Sequence, residues 1–413
     1  MRVVPGPDQN PRLSPTPAPL PPPRRYHEID AVRGLMLVLM TLTHVPTMLT
    51  DPVGQPFGFV SAAEGFVLLS AFVCGLVYGR IGHTRGVEAM QHAFWQRAVR
   101  LYMSQAALLL FLFTIITALA LRVHLDSPGA RDLILYYLAH PREAFAFALL
   151  LVYQPALLDI LPMYILFMLM SPWVMAGAFR HGWRLPLALS ALGWLAAQLD
   201  ATPWLYATVM QGWLKVPVPY QETGSFDTLA WQALWFAGLA LGAGRSAPGA
   251  GPVALPAPWV RAAVVVAGIC LLWRHLGPGG QAPFADHHAL NTLLFDKWRL
   301  APLRVLDLVA IGIVAVRYGP GWLARLPRPR WLETMGSASL SVFCTHLVAV
   351  LLVQALWGGD HRVRPWWGDV LLLAAVFGAM YGVAWAVQRY ERRHRGGPRG
   401  TAAAREAAPA ASH

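Results

Sequence analysis

Eleven apolar runs follow one another through this chain, near 30–50, 59–79, 101–122, 145–160, 162–179, 186–200, 228–244, 259–274, 302–319, 335–357 and 367–388. A helix that crosses the hydrocarbon of a bilayer needs about 20 mostly apolar residues, so the runs read as a polytopic bundle of membrane-spanning helices. The run at 145–160 is interrupted by Tyr153-Gln154-Pro155 and Asp159, and is the one to discard or treat as re-entrant. That leaves an all-α fold of about ten spans. Composition agrees: 56% of the residues are hydrophobic and only 13% charged, too little charge to cover a soluble protein of 413 residues.

The formal net charge of +12 raises nucleic acid as a partner. The arginines argue against it, because they fall in short clusters between apolar runs and not along one basic face. They alternate instead. One side collects Arg24 and Arg25, then Arg80, Arg85, Arg97 and Arg100, then Arg180 and Arg184, Arg245 and Arg261, Arg317 to Arg330, and the tail RRHRGGPR. The other side holds the sparser Arg122, Arg131, Arg142, Lys215, Lys297, Arg299, Arg362 and Arg364. The richer side is the cytoplasmic one, which places both termini inside and the chain among membrane lipids. Residues 1–23 are too rich in proline to pack and read as a disordered cytoplasmic tail; 24–390 form one membrane domain; 391–413 form a basic, alanine-rich tail. Cys74, Cys270 and Cys344 lie inside apolar runs without metal-ligand spacing and read as packing residues, so no metal site is expected. No internal repeat stands out, which weakens an inverted-repeat transporter. Oligomeric state leaves no trace in the sequence.

Ionisable groups inside such runs are costly and point to function or to pairing. DAVRGLMLVLMTLTH (30–44) sets Asp30 and Arg33 at the cytoplasmic entrance of the first span and His44 about 16 Å further along the axis. Asp30 and Arg33 can be an interfacial ion pair. His44 can be a hydrogen-bonded bundle histidine or a general base, since imidazole titrates near neutral pH. Glu64, early in the second span, falls near the same far face; it can orient the His44 ring or only cap its own helix. Arg97 and Arg100 share a helix face and suit a polyphosphate or carboxylate, although ordinary positive-inside arginines look the same. His346, about ten residues into a late span, can be a catalytic partner, a proton relay or a structural residue. Trp204, Tyr206, Trp213 and Tyr220, in a long periplasmic loop, can stack on sugar rings or form an interfacial belt.

Taken in order, several segments resemble the membrane acyltransferase-3 superfamily: an arginine, ten residues and a histidine (Arg33 to His44), FVLLSAF at 66–72, the R-x-x-R of Arg97 and Arg100 followed by Leu-Tyr, and GSASLSVFCTH ending at His346. More closely the chain is similar to the OpgC family of osmoregulated periplasmic glucan succinyltransferases, through EIDAVRG (28–34), THVPTML (43–49), SAAEGFVLLS (61–70), LLDILPMYILFMLMSPWVM (157–175), LAWQALWFAGLALG (229–242) and DKWRLAPLRVLDLVAIG (296–312). The resemblance covers about residues 24–390. It departs at Ala71, where the usual segment has glycine after Ser70. It implies an O-acyltransferase integral to a bacterial inner membrane, with no bound cofactor. The enzyme would move a succinyl or acetyl group from a cytoplasmic acyl-CoA donor to hydroxyls of a periplasmic glucan or another envelope polysaccharide. Carried over residue by residue, His44 is the essential histidine, Arg33 the arginine that begins its motif, and Arg97 and Arg100 the R-x-x-R pair. The residues themselves offer Glu64 and His346 as catalytic partners of His44, and Asp30 and Ser70 beside Arg33, Arg97 and Arg100 as donor-binding candidates. The competing class is a proton-coupled transporter or flippase of a glycan or lipid, with Glu64, His44, Asp159 and His346 as its proton path.

Overall fold

The computed structural model describes residues 27–395, apart from 124–127, 252–253, 281, 285–286, 326 and 358–363. Among the described residues every regular element is helical. The helices that matter here are α1 (His27–His44), α2 (Ala62–Arg85), α3 (Val87–Arg122), α4 (Pro128–Ala139), α5 (Pro141–Leu149), α6 (Ile160–His181), α7 (Arg184–Gln198), α8 (Thr228–Ser246), α9 (Ala257–Leu276), α10 (His288–Phe295), α11 (Pro302–Arg325), α12 (Arg330–Ser337), α13 (Ser339–Trp357) and α14 (Trp366–Arg395). Six of them, α2, α3, α6, α9, α13 and α14, are long and apolar enough to cross a membrane. The other apolar runs apart from 145–160 are helical too, but α7 has only 15 residues, the first turn of α1 carries Glu28 and Asp30, and α11 carries Arg304, Asp307, Arg317 and Arg325. Exposed leucines, valines and tryptophans on the outward faces, such as Leu110, Leu189, Val265, Leu272 and Leu371, give the bundle the apolar surface that a bilayer requires.

The interrupted run at 145–160 is not a helix. Helix α5 ends at Leu149, the chain turns through left-handed Leu151 and Leu157, and α6 starts after Asp159. The run at 335–357 is likewise two helices, broken at Ala338, so His346 is the eighth residue of α13 and not the tenth. The segment 201–213 is wound into short helical turns and is not an open loop. The segment 1–23 lies outside the described residues, as does the tail beyond 395; residues 391–395 continue α14.

Helices α2 and α8 approach closely enough for their backbones to meet. Gly75 and Gly79 on α2 and Gly238 and Gly242 on α8 are both spaced by four, the arrangement that lets helix backbones meet in lipid. A Cβ added at Gly242 would collide with the carbonyl of Phe72, and one at Gly75 with the carbonyl of Leu239. The same device joins α1 to α12, where Gly336 lies against the Asp30 carbonyl and Gly34 against that of Leu332. These contacts fix α1 and α2, the helices that carry His44, Arg33, Ser70 and Glu64. Gly242→Ala is therefore expected to destabilise the fold by about 1–3 kcal/mol, the cost of forcing a methyl into a filled seam. Gly244→Ala, where nothing lies within 4 Å of the added atom, is expected to be neutral. Thermal unfolding of the two variants in detergent separates them.

Candidate functional site

Arg33, Leu37, Thr41 and His44 follow one another at helical spacing, so they share one face of α1. The far end of that face meets α13. The Nδ1 of His44 lies 3.1 Å from the Nε2 of His346, with the rings stacked at 5.3 Å between centroids. Behind them, Thr41 Oγ1 lies 3.1 Å from the Nδ1 of His346. The Thr41 hydroxyl donates its own proton to the Leu37 carbonyl at 2.8 Å, with the Met380 sulfur as a second acceptor at 3.4 Å. Oγ1 is thus left to accept from His346 Nδ1–H. That assignment leaves His346 Nε2 bare to accept from His44 Nδ1–H, and leaves His44 Nε2 with a free lone pair. His346 is completely buried, whereas His44 is partly open. A fixed imidazole whose accessible nitrogen carries no proton is the arrangement that a general base needs.

The turn that follows His44 is held from α14. Asp369 accepts from Met48 N–H at 3.2 Å and from Arg364 Nε at 3.1 Å, and the Arg364 guanidinium also donates to the Pro46 carbonyl. Thr50 Oγ1 closes the turn onto the Val45 carbonyl at 3.0 Å. Both Arg364 and Asp369 are buried, with side chains 10% and 5% exposed, so the turn that ends α1 is anchored by a desolvated ion pair.

The structure does not give Glu64 the role of orienting His44. Its carboxylate is completely buried and paired with the Arg304 guanidinium, whose Nε lies at 2.9 Å. The same carboxylate accepts from Ser61 N–H at 3.1 Å and from the Ser61 hydroxyl, forming a capping box that starts α2. The histidine that faces His44 is His346. Near Glu64, Lys297 projects from the loop between α10 and α11. Burial pushes its ammonium below the usual lysine range, Arg304 adding to the push while Glu64 and Asp159 oppose it. That loop is rigidly held: the Trp298, Arg299 and Leu300 carbonyls accept, in turn, from Trp231 Nε1 at 2.9 Å, Gln198 Nε2 at 2.8 Å and Trp194 Nε1 at 2.9 Å.

The near end of the α1 face opens on a small cleft of about 30 Å³, partly open to solvent, between α1, α2, α3, α6 and α13. Arg33, Ser70 and Arg97 line it together with Tyr164 and Ser339, so three of the five residues assigned to the donor meet in one place. Arg33 donates to Ser339 Oγ and lies 3.9 Å from Asp30. Its Nε is buried with no hydrogen-bond partner among the described residues, and a native fold seldom leaves such an atom empty-handed; the buried Ser70 hydroxyl lies beside the Tyr164 hydroxyl. The R-x-x-R pair divides: Arg97 faces the cleft, while Arg100 is exposed and bonds to the Gln96 carbonyl at 3.3 Å. Asp30 stands beside Arg33 and does not line the cleft. Of the loop aromatics, Tyr206 and Tyr220 pack against each other at 5.6 Å, while Trp204 and Trp213 are exposed. Thr41, Arg304, Arg364 and Asp369 were not picked out by sequence reasoning as site residues. Thr41 had a readable signal, one turn before His44 on the same face; the others are joined to the site only by tertiary contact.

The described residues form an all-helical bundle with six helices long and apolar enough to cross a bilayer, a histidine pair toward one end of α1 and an arginine-lined cleft toward the other. Its family follows from comparison. The family model described as OpgC protein matches residues 25–392, and the chain belongs to that family. No curated protein and no solved structure matches it. Family membership gives the chain an acyltransferase-like role in a membrane.

Proposed function

We propose that this protein is an O-acyltransferase that takes a succinyl or acetyl group from a cytoplasmic acyl-CoA-type thioester and esterifies a hydroxyl of a periplasmic glucan or a related envelope polysaccharide. The observation that carries the reading is the Thr41–His346–His44 chain, which holds His44 Nε2 unprotonated. The base takes the proton of the acceptor hydroxyl as its oxygen attacks the thioester carbonyl. A C–O bond forms, the C–S bond breaks, and the proton on His44 passes to the departing thiolate. His346 accepts from His44 Nδ1–H throughout and steadies the imidazolium while it exists. At the other end of the α1 face, Arg33 and Arg97 offer positive charge, and Ser70 a hydroxyl, to the donor's phosphates.

The inner-membrane setting is part of this reading and goes with the family resemblance; the placement of the arginine-rich ends of the helices in the cytoplasm rests on the distribution of basic residues. Ten spans and cytoplasmic termini go with it. A proton-coupled transporter would need its titratable groups in sequence. Glu64 is already bonded to Arg304 and Asp159 to Ser225 N–H at 2.9 Å, which leaves the histidine pair alone.

The test is the mass of periplasmic glucans from cells with the gene intact and with it deleted. The expected result is an ester-sized increment that is present only with the intact gene, its size naming the acyl group. Identical masses would remove the glucan as acceptor. If no envelope polysaccharide changed mass, acyl transfer itself would fail.

A further inference from the structure

The cleft and the histidine pair lie on the same helix faces without being joined. On α13, Ser339, Leu340 and Phe343 line the cleft, and His346 lies three residues beyond Phe343, about 4.5 Å further along the axis. On α2, Ser70 and Phe66 line the cleft one turn apart, while Glu64 lies beyond Phe66 at the opposite end. Phe66 and Phe343 meet across the two helices with centroids 6.0 Å apart and rings 19° from parallel. Phe343 then touches His346, at 5.9 Å between ring centroids. Both phenylalanines are buried, 8% and 3% exposed. The polar side chains of the cleft, Arg33, Arg97, Ser70 and Ser339, therefore give way to a pair of aromatic rings on the side where the histidines lie.

We propose that Phe66 and Phe343 form an aromatic constriction between the donor cleft and the histidine pair, and that the space between the rings sets the largest acyl group the enzyme transfers. The inference rests on the acyl-transfer reading and adds a specificity determinant to it. On the acyl-transfer reading, these two rings lie between a thioester held in the cleft and an oxygen activated by His44. The rings offer no hydrogen bond, so they select by bulk. Selection by bulk in an apolar passage is worth about 10–200-fold per methylene, enough to keep a short acyl group and refuse a long one. Trimming a ring widens the passage, and enlarging Phe343 narrows it.

The test uses the full chain in lipid nanodiscs with a periplasmic glucan fraction as acceptor, and with acetyl-, butyryl- and hexanoyl-CoA competing in one mixture. Glucan masses report the ratio of products. That ratio is independent of how much enzyme survives folding, which matters because a Phe→Ala change in a core is itself destabilising. Phe343→Ala and the milder Phe343→Leu and Phe66→Leu are expected to raise the hexanoyl-to-acetyl ratio by about tenfold or more. Phe343→Trp is expected to lower it. A product ratio within about twofold of wild type in all four variants, with acetyl transfer still measurable, would overturn the constriction and leave the acyltransferase reading standing. Failure of the wild-type chain to acylate from any of the three donors, and from succinyl-CoA supplied alone, would take down both.

Discussion

His44→Ala is expected to lower acyl transfer by about 10²–10⁴-fold, the usual contribution of a positioned general base, while the protein still inserts and folds. The site is at the end of α1 and partly open, so the lost imidazole leaves no sealed cavity. The chain behind His44 gives this prediction its finer structure. In His346→Ala, His44 Nδ1 loses its partner and the ring is free to carry its proton on Nε2, the nitrogen that has to be bare. His346→Gln supplies a side-chain oxygen that can accept from Nδ1–H, and should retain more activity than alanine. In Thr41→Val the acceptor for His346 Nδ1–H disappears, so the His346 proton is free to move to Nε2 and force the wrong tautomer on His44. A hydrogen bond to a group that becomes charged is worth roughly 1.5–3 kcal/mol, or about 10–100-fold in rate. Thr41→Val should show a loss of that size in kcat with little change in the donor's KM. A Thr41→Val enzyme with wild-type kcat would show that the tautomer is set elsewhere, and full acylation by His44→Ala would end the general-base assignment.

How far the sequence could be read depends on which interactions are local. The helical runs were legible because apolar length is a property of consecutive residues, and so was the break near Pro155, where polar and proline residues interrupt the run. The split at Ala338 was not legible, since nothing in GSASLS departs from a helical composition. Spacing alone brought Arg33 and His44 into view, and their placement at the two ends of one helix face agrees with it. That Arg33 meets Ser70 and Arg97 in one cleft was carried by family resemblance, because the three residues belong to different helices. The partners of the histidine could not be assigned by proximity along the chain. Glu64 looked closer in sequence, while His346, 302 residues away, is the residue in contact. Arg304, 240 residues from Glu64, was invisible for the same reason: an arginine in an apolar run announces that a carboxylate is near, without saying which one.

That ion pair sets the largest expected change in stability. Glu64 and Arg304 are 0% and 1% exposed, so removing one partner strands the other in a medium that cannot solvate it, at a cost of about 3–5 kcal/mol. Glu64→Gln keeps the shape and part of the capping box, in which an amide oxygen can still accept from Ser61 N–H, but leaves the Arg304 guanidinium unneutralised. Arg304→Met leaves the carboxylate with Ser61 and the nearby Lys297. Each single variant is expected to reduce the yield of monodisperse protein sharply and to lower its unfolding temperature. The double variant Glu64→Gln with Arg304→Met should recover part of that loss, because it removes both members of the buried pair while Lys297 and Asp307 remain beside it. The cycle also decides what Glu64 is for. If its work is to hold the start of α2 against α11, the folded fraction of each variant should acylate at near wild-type rate per molecule, and the double variant should be both stable and active. If Glu64 instead handles a proton in the reaction, Glu64→Gln should be inactive per folded molecule and the double variant should regain stability without regaining turnover. The geometry, with both carboxylate oxygens committed to Arg304 and Ser61, supports the first outcome.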